Sequence, residues 1–202
     1  MAAASTVDYF FSPQSPWTYL GHQRLREIAR AAGATVRPLP VDFGRVFPQS
    51  GGLPLGKRAP QRQAYRLVEL ARFRESLGVP LNLQPKFFPV PGDRAARLII
   101  AVELRDGAEA AVNLTGTVLG GVWADQRNID DDGDLAQMLA EHGLPARRIE
   151  DATSPEVQAR YDENTQRAID AGVFGAPSYV IDGEIFWGQD RLDFVAQRLA
   201  RG

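Results

Sequence analysis

The spacing of apolar residues divides the chain into three stretches. Thr6 to Phe11 is short, apolar and aromatic and is bounded by Pro13, which predicts a buried strand. From Pro16 onward Trp17, Leu20, Leu25, Ile28, Ala29 and Ala32 fall at helical spacing, and Gly33 stops the pattern. Ala34 to Val41 reads as a second strand marked by Val36, Leu39 and Val41, and Pro38 and Pro40 suit it to a sheet edge. Strand, helix and strand in so short a span make a βαβ unit, so the two strands should run parallel.

The middle has another rhythm. Phe43 to Arg58 is rich in Gly and Pro and predicts a long loop, of a kind that is often functional. Helical patterns follow at about 60–77, 93–105, 107–124, 132–142 and 154–171. Pro60, Asp93, Asp132 and Ser154-Pro155 are their start signals, and Gly78, Gly107, Gly143 and Gly172 punctuate their ends. Strands return at Ser178 to Ile181 and Glu184 to Trp187, flanking the hairpin dipeptide Asp182-Gly183. A last helix over about 191–200 carries Leu192, Val195 and Leu199 as its apolar stripe, with Asp190 as N-cap. The expected organisation is an α/β domain made from residues 1–43 and 173–202, interrupted by an all-helical insertion over 44–172.

Composition narrows the chemistry. A length of 202 residues, with 44% hydrophobic and 24% charged content, is ordinary for a globular protein. A net charge of -2 leaves no electrostatic footprint for nucleic acid or an anionic membrane. No apolar run approaches a membrane span, and Met1-Ala2-Ala3-Ala4-Ser5 lacks the basic and apolar parts of a signal peptide, so a cytoplasmic protein is expected. With Cys 0 and His 2, no disulfide exists and no metal site is expected.

Several motifs fail on inspection. Gly51 to Lys57 fits the start of a phosphate-binding loop, but Arg58 stands where a hydroxyl should hold magnesium and no strand precedes it. Asn128 to Gly133 begins like a calcium loop, yet Leu139 occupies the place of the bidentate glutamate. Asn113-Leu114-Thr115 forms a glycosylation sequon on a predicted helix in a chain with no secretory signal. His22 lies two turns along the helix from Ser15 and should point away from it, and His142 sits near a helix C-terminus, so a Ser-His-Asp triad has little support.

Two segments keep a functional reading beside a plain one. Ser15 before Pro16 is an ordinary helix N-cap, and a helix start with free N–H groups is also an anion site. Gly175-Ala176-Pro177-Ser178 before a strand is an ordinary turn, or a cis X-Pro junction whose backbone can pair with a bound peptide.

Val7-Asp8-Tyr9-Phe10 with Ser15-Pro16-Trp17-Thr18-Tyr19-Leu20, Arg58 to Tyr65, Gly78-Val79-Pro80-Leu81, Val173 to Ser178 and Phe186 to Leu192 together carry a family pattern along the whole chain. They resemble the 2-hydroxychromene-2-carboxylate isomerases, relatives of the kappa-class glutathione transferases in the DsbA-like branch of thioredoxin folds. That resemblance implies a thioredoxin-like fold with a helical insertion, in which hydroxyl residues replace the usual Cys-x-x-Cys. It implies glutathione as cofactor, with catalytic Ser15 near its sulfur, Ala176 before Pro177 pairing with its backbone, and Trp187, Gly188, Gln189 and Asp190 holding its γ-glutamyl end. A helix dipole and a serine donor would favour a thiolate, lowering its pKa from about 8.5.

The activity implied is cis-trans isomerisation by reversible thiolate addition to an aromatic carboxylate substrate, in aromatic catabolism. Lys57 and Arg58 are candidates for the substrate carboxylate. Phe87 aligns where relatives often carry a tyrosine, and Phe47 where some carry a basic residue. A homodimer is usual among such proteins. Two alternatives stay open: a kappa-class-like glutathione transferase, and a redox-inactive thioredoxin-like protein that binds peptides.

Overall fold

The computed structural model describes residues 5–201, so the reading of Met1 to Ala4 lies outside the described residues. Strand β1 (Thr6–Phe11) leads to helix α1 (Pro16–Ala31) and strand β2 (Thr35–Pro40). Helices α2 (Phe43–Ser50), α3 (Pro60–Leu77), α4 (Asp93–Asp106), α5 (Ala108–Trp123), α6 (Asp132–Glu141), α7 (Arg148–Asp151) and α8 (Pro155–Asp170) follow. The chain closes with β3 (Ser178–Ile181), β4 (Glu184–Trp187) and α9 (Leu192–Leu199).

The sheet order is β2-β1-β3-β4, with β1 parallel to β2 and the other pairs antiparallel. Pro38 and Pro40 therefore sit on an edge strand, where a missing N–H leaves no central ladder bond unmade. β1 is central, and Val7 to Phe11 are buried on both faces. Side chains alternate along it: Val7, Tyr9 and Phe11 join one core, while Phe10 joins another.

The first core runs without a break from β1 through α1 and α3 into α4, α5 and α6, taking in Leu25, Leu70, Ile99, Trp123 and Leu139. The second packs Phe10, Leu39 and Val180 against Phe43 and Val46 of α2 and Ala168 of α8. Asp8, also on this second face, pairs with Arg37 of β2 and Arg167 of α8, tying strand to strand and sheet to helix.

Phe43 to Ser50 is a helix rather than the first half of a loop. Asp42 caps it by accepting from the Gly44 N–H at 2.8 Å, and its Phe43 and Val46 are buried beneath the sheet. Burial of that face outweighs the bond lost at Pro48. A 3-10 turn at Leu55–Lys57 interrupts the rest of the predicted loop, and α7 was too short for a periodic signal. Two caps move: Asp131, not Asp132, caps α6 by accepting from the Asp134 N–H at 3.0 Å, and Arg191 rather than Asp190 precedes α9, whereas α4 begins at Asp93 as read.

The hairpin forms as read, with Asp182 and Gly183 at φ of 50 and 83, the left-handed conformation its tight turn needs. Gly21 of α1 is a close-approach position: an added Cβ would stand 2.7 Å from Gln189 Cβ and 2.9 Å from the Tyr179 hydroxyl. That approach sets the distance between α1 and the segment following β4.

Candidate active site

A cleft of about 1380 Å³ opens between the start of α1, the segment after β4, and helices α2 and α3. Single small-molecule sites typically occupy roughly 300–1,000 Å³, so this one has room for more than one ligand. Ser15, Trp17, Ala176, Trp187, Gln189 and Asp190 are on its first wall. Arg58, Arg62, Tyr65, Arg66, Phe73 and Phe88 make up a second wall, which meets the first where Phe73 packs edge-on against Trp17 at 5.9 Å.

Ser15 is a true N-cap, because its hydroxyl oxygen accepts from the Thr18 N–H at 3.2 Å. The cap leaves the hydroxyl proton without an acceptor among the described residues, so the group still donates. Pro16 has no N–H, and the Tyr19 N–H is taken by the Ser15 carbonyl at 3.1 Å. Among the described residues the Trp17 N–H therefore joins the Ser15 hydroxyl as an unpaired donor at the positive end of a 16-residue helix. No thiol competes there, since the chain has no cysteine.

Before β3, the Ala176–Pro177 bond is cis, as the sequence suggested, and Ala176 lines the cleft. Pro177 is set behind it, its carbonyl accepting from the Gly188 N–H at 2.9 Å. A Cβ on Gly175 would meet Trp187 Nε1 at 2.4 Å, so glycine lets the indole lie across the loop. Trp187, 51% exposed, pairs with Phe174 at 4.8 Å to form an aromatic lip. Gln189 is only 2% exposed, and neither end of its amide has a partner among the described residues. An unpaired buried amide is costly, so this one stands out among the lining side chains. Asp190 lies in a 3-10 turn beside Arg191, its carboxylate paired with that guanidinium.

The cationic candidates divide. Arg58 lines the cleft, its Nε donating to the Leu53 carbonyl at 2.8 Å, whereas Lys57 is exposed outside the lining. Phe87 also falls outside it and lies under the Lys86 ammonium at 4.8 Å, while its neighbour Phe88 faces the cleft. Phe47 lines the cleft and packs on Phe43 at 5.6 Å.

Sequence reading passed over Arg62 and Arg66, although Arg58, Arg62 and Arg66 repeat every four residues, the spacing of one helical face. It also passed over Asp93 and Tyr161, which meet at the cleft wall where the tyrosine hydroxyl donates to the carboxylate at 2.9 Å. Burial and that neighbouring charge hold the Tyr161 phenol well above its usual range.

The histidines take no part. His22 is buried, its Nε2 donating to the Val112 carbonyl at 3.1 Å and its Nδ1 accepting from the Tyr9 hydroxyl at 3.3 Å. Burial, and then the Arg26 charge, push it down to about 3, so it is a neutral core residue. His142 meets Thr117 on the surface at 2.7 Å. Gly51 follows a helix rather than a strand, and the Asn128 N–H donates to Asp134 at 2.6 Å in a closed turn, so neither motif builds a phosphate or calcium loop.

Comparison with known proteins places the fold and the family. The DSBA-like thioredoxin domain family matches residues 6–200. A 2-hydroxychromene-2-carboxylate isomerase from Sphingobium xenophagum is 30% identical over 196 residues, covering 96% of this chain and 97% of that protein. A glutathione s-transferase kappa 2 from Caenorhabditis elegans is 27% identical, covering 99% and 94%. The solved structure of a 2-hydroxychromene-2-carboxylate isomerase superposes with a TM-score of 0.83 at 29% identity, covering 97% and 95%.

Proposed function

We propose, for a chain that belongs to the DSBA-like thioredoxin family and to its 2-hydroxychromene-2-carboxylate isomerase branch, that the cleft isomerises an aromatic carboxylate with glutathione as cofactor. The observation that carries this reading is the Ser15 hydroxyl, which caps α1 with its oxygen and keeps its proton to donate into the cleft. Bound glutathione would supply a thiolate nucleophile for reversible addition to the conjugated substrate.

The chain's own groups have definable tasks. The Ser15 O–H and Trp17 N–H stabilise negative charge at the helix start, supported by the helix dipole. A serine there can donate to a thiolate but cannot form a disulfide with it. The Ala176 main chain would pair with the cysteinyl backbone of the tripeptide. Gln189 and Asp190 would hold its γ-glutamyl end, the buried Gln189 amide gaining the partners it lacks within the chain. Phe174 and Trp187 would cover the ligand from solvent.

Calorimetric titration with glutathione tests the cofactor: binding below millimolar supports the reading, and no heat at millimolar glutathione refutes it. Turnover of 2-hydroxychromene-2-carboxylate without net thiol consumption is expected. The kappa-class relative favours a second reading, a transferase, in which each turnover consumes one glutathione and leaves an adduct.

A further inference from the structure

Arg66 is the one member of the arginine series that is buried, at 9% exposure, and it lines the cleft. Its guanidinium lies over the Phe88 ring at 5.2 Å and over the Trp123 ring at 5.6 Å, so aromatic rings hold it in place. Rings attract a cation but do not accept its in-plane N–H groups. Among the described residues no carboxylate stands within the 4.0 Å of an ion pair, and none accepts a hydrogen bond from it. Glu69, one turn further along α3, lines the cleft but stays out of reach.

Burial, and then the Arg58 charge, lower its pKa to about 10. A buried charge without a partner is unfavourable, and a paired anion removes most of that cost. Arginine's planar fork matches a carboxylate in two parallel hydrogen bonds.

From this geometry we infer that Arg66 is the specificity-determining anion seat of the cleft, binding the carboxylate of a planar aromatic acid whose ring lies beside Phe88. The half-buried Arg58 and exposed Arg62 draw the anion inward, and Arg66 fixes its orientation relative to Ser15. The inference rests on the isomerase reading for the substrate's identity, but the seat itself can be tested without glutathione.

Salicylate and its neutral analogue salicylamide are the probes, with glutathione titrated in parallel. Wild-type protein should bind salicylate at least about tenfold more tightly than salicylamide, and Arg66→Gln should abolish the difference while glutathione affinity holds. Arg66→Lys should recover only part, because an ammonium lacks the fork. Phenylglyoxal labelling of wild-type protein, mapped by mass spectrometry, gives a measurement that needs no variant: salicylate should protect Arg66.

Equal binding of the two probes, unchanged salicylate binding in Arg66→Gln, or an Arg66 that is unreactive or unprotected would each overturn the inference. If salicylate discrimination depends on Arg66 while glutathione never binds, the seat stands and the isomerase reading fails.

Discussion

The two walls of the cleft are built on different principles. The wall formed by the start of α1 and the segment after β4 offers the Ser15 hydroxyl and main-chain groups beneath two tryptophans, all fixed by a cap, a turn and a close helix approach. The wall formed by α3 and its approach offers long cationic side chains, of which Arg66 alone is held by neighbouring rings. A backbone-built surface suits a constant ligand that every turnover requires. A side-chain-built surface suits a substrate, because one residue changes its preference without disturbing the rest.

The sharpest way to break this contrast is Ser15→Asp. Aspartate caps a helix as well as serine, so the melting temperature should hold, but a second negative charge at the thiol position should lower turnover by roughly a hundredfold. If kcat and the thiol pKa are unchanged, Ser15 serves only as a cap. A change outside both walls provides the control. Arg148 is buried, with Nε and an Nη donating to Asp106 at 2.6 and 2.7 Å and the other Nη to Asp151 at 2.8 Å. Arg148→Ala should cost about 2–3 kcal/mol in chemical denaturation, with ligand affinities intact.

The Asp106 carboxyl is held below its usual range by Arg148, so this contribution is present at neutral pH and is lost as pH falls through the carboxylate range. His22 acts over a higher window. Its folded pKa of about 3 lies below the unfolded value of about 6.5, so the unfolded chain binds more protons between those limits. Stability should therefore fall with decreasing pH there, by up to about 1.4 kcal/mol per pH unit, and His22→Gln should flatten the slope. The smallest effect expected is for Gly175→Ala. A methyl group there displaces the Trp187 indole and should weaken glutathione binding about threefold to tenfold, leaving salicylate binding unaltered.

The same contrast explains what was readable in the sequence. The first wall is made of local signals: Ser before Pro and Ala-Pro before a strand, with Asp-Gly turning the hairpin behind it. Each fixes a backbone conformation by itself, so their positions survived into three dimensions. The second wall depends on which face of α3 meets the core, a matter of packing. Lys57 and Arg66 look alike in one dimension, yet one is exposed outside the cleft and the other is buried within it. Helix α2 was hidden for a related reason. Gly44 and Pro48 lower its intrinsic propensity, and only contact of Phe43 and Val46 with the sheet makes it form.

The unbroken core beneath both walls has a mechanical consequence. Leu25 of α1 and Leu70 of α3 share a close-packed interior, and such interiors do not hinge open by small amounts. The separation of the walls is therefore a constant of the fold, and admission and release of ligands should fall to the short Gly51–Arg58 stretch along the rim. Stiffening that stretch should slow exchange of product for substrate while equilibrium affinity is maintained.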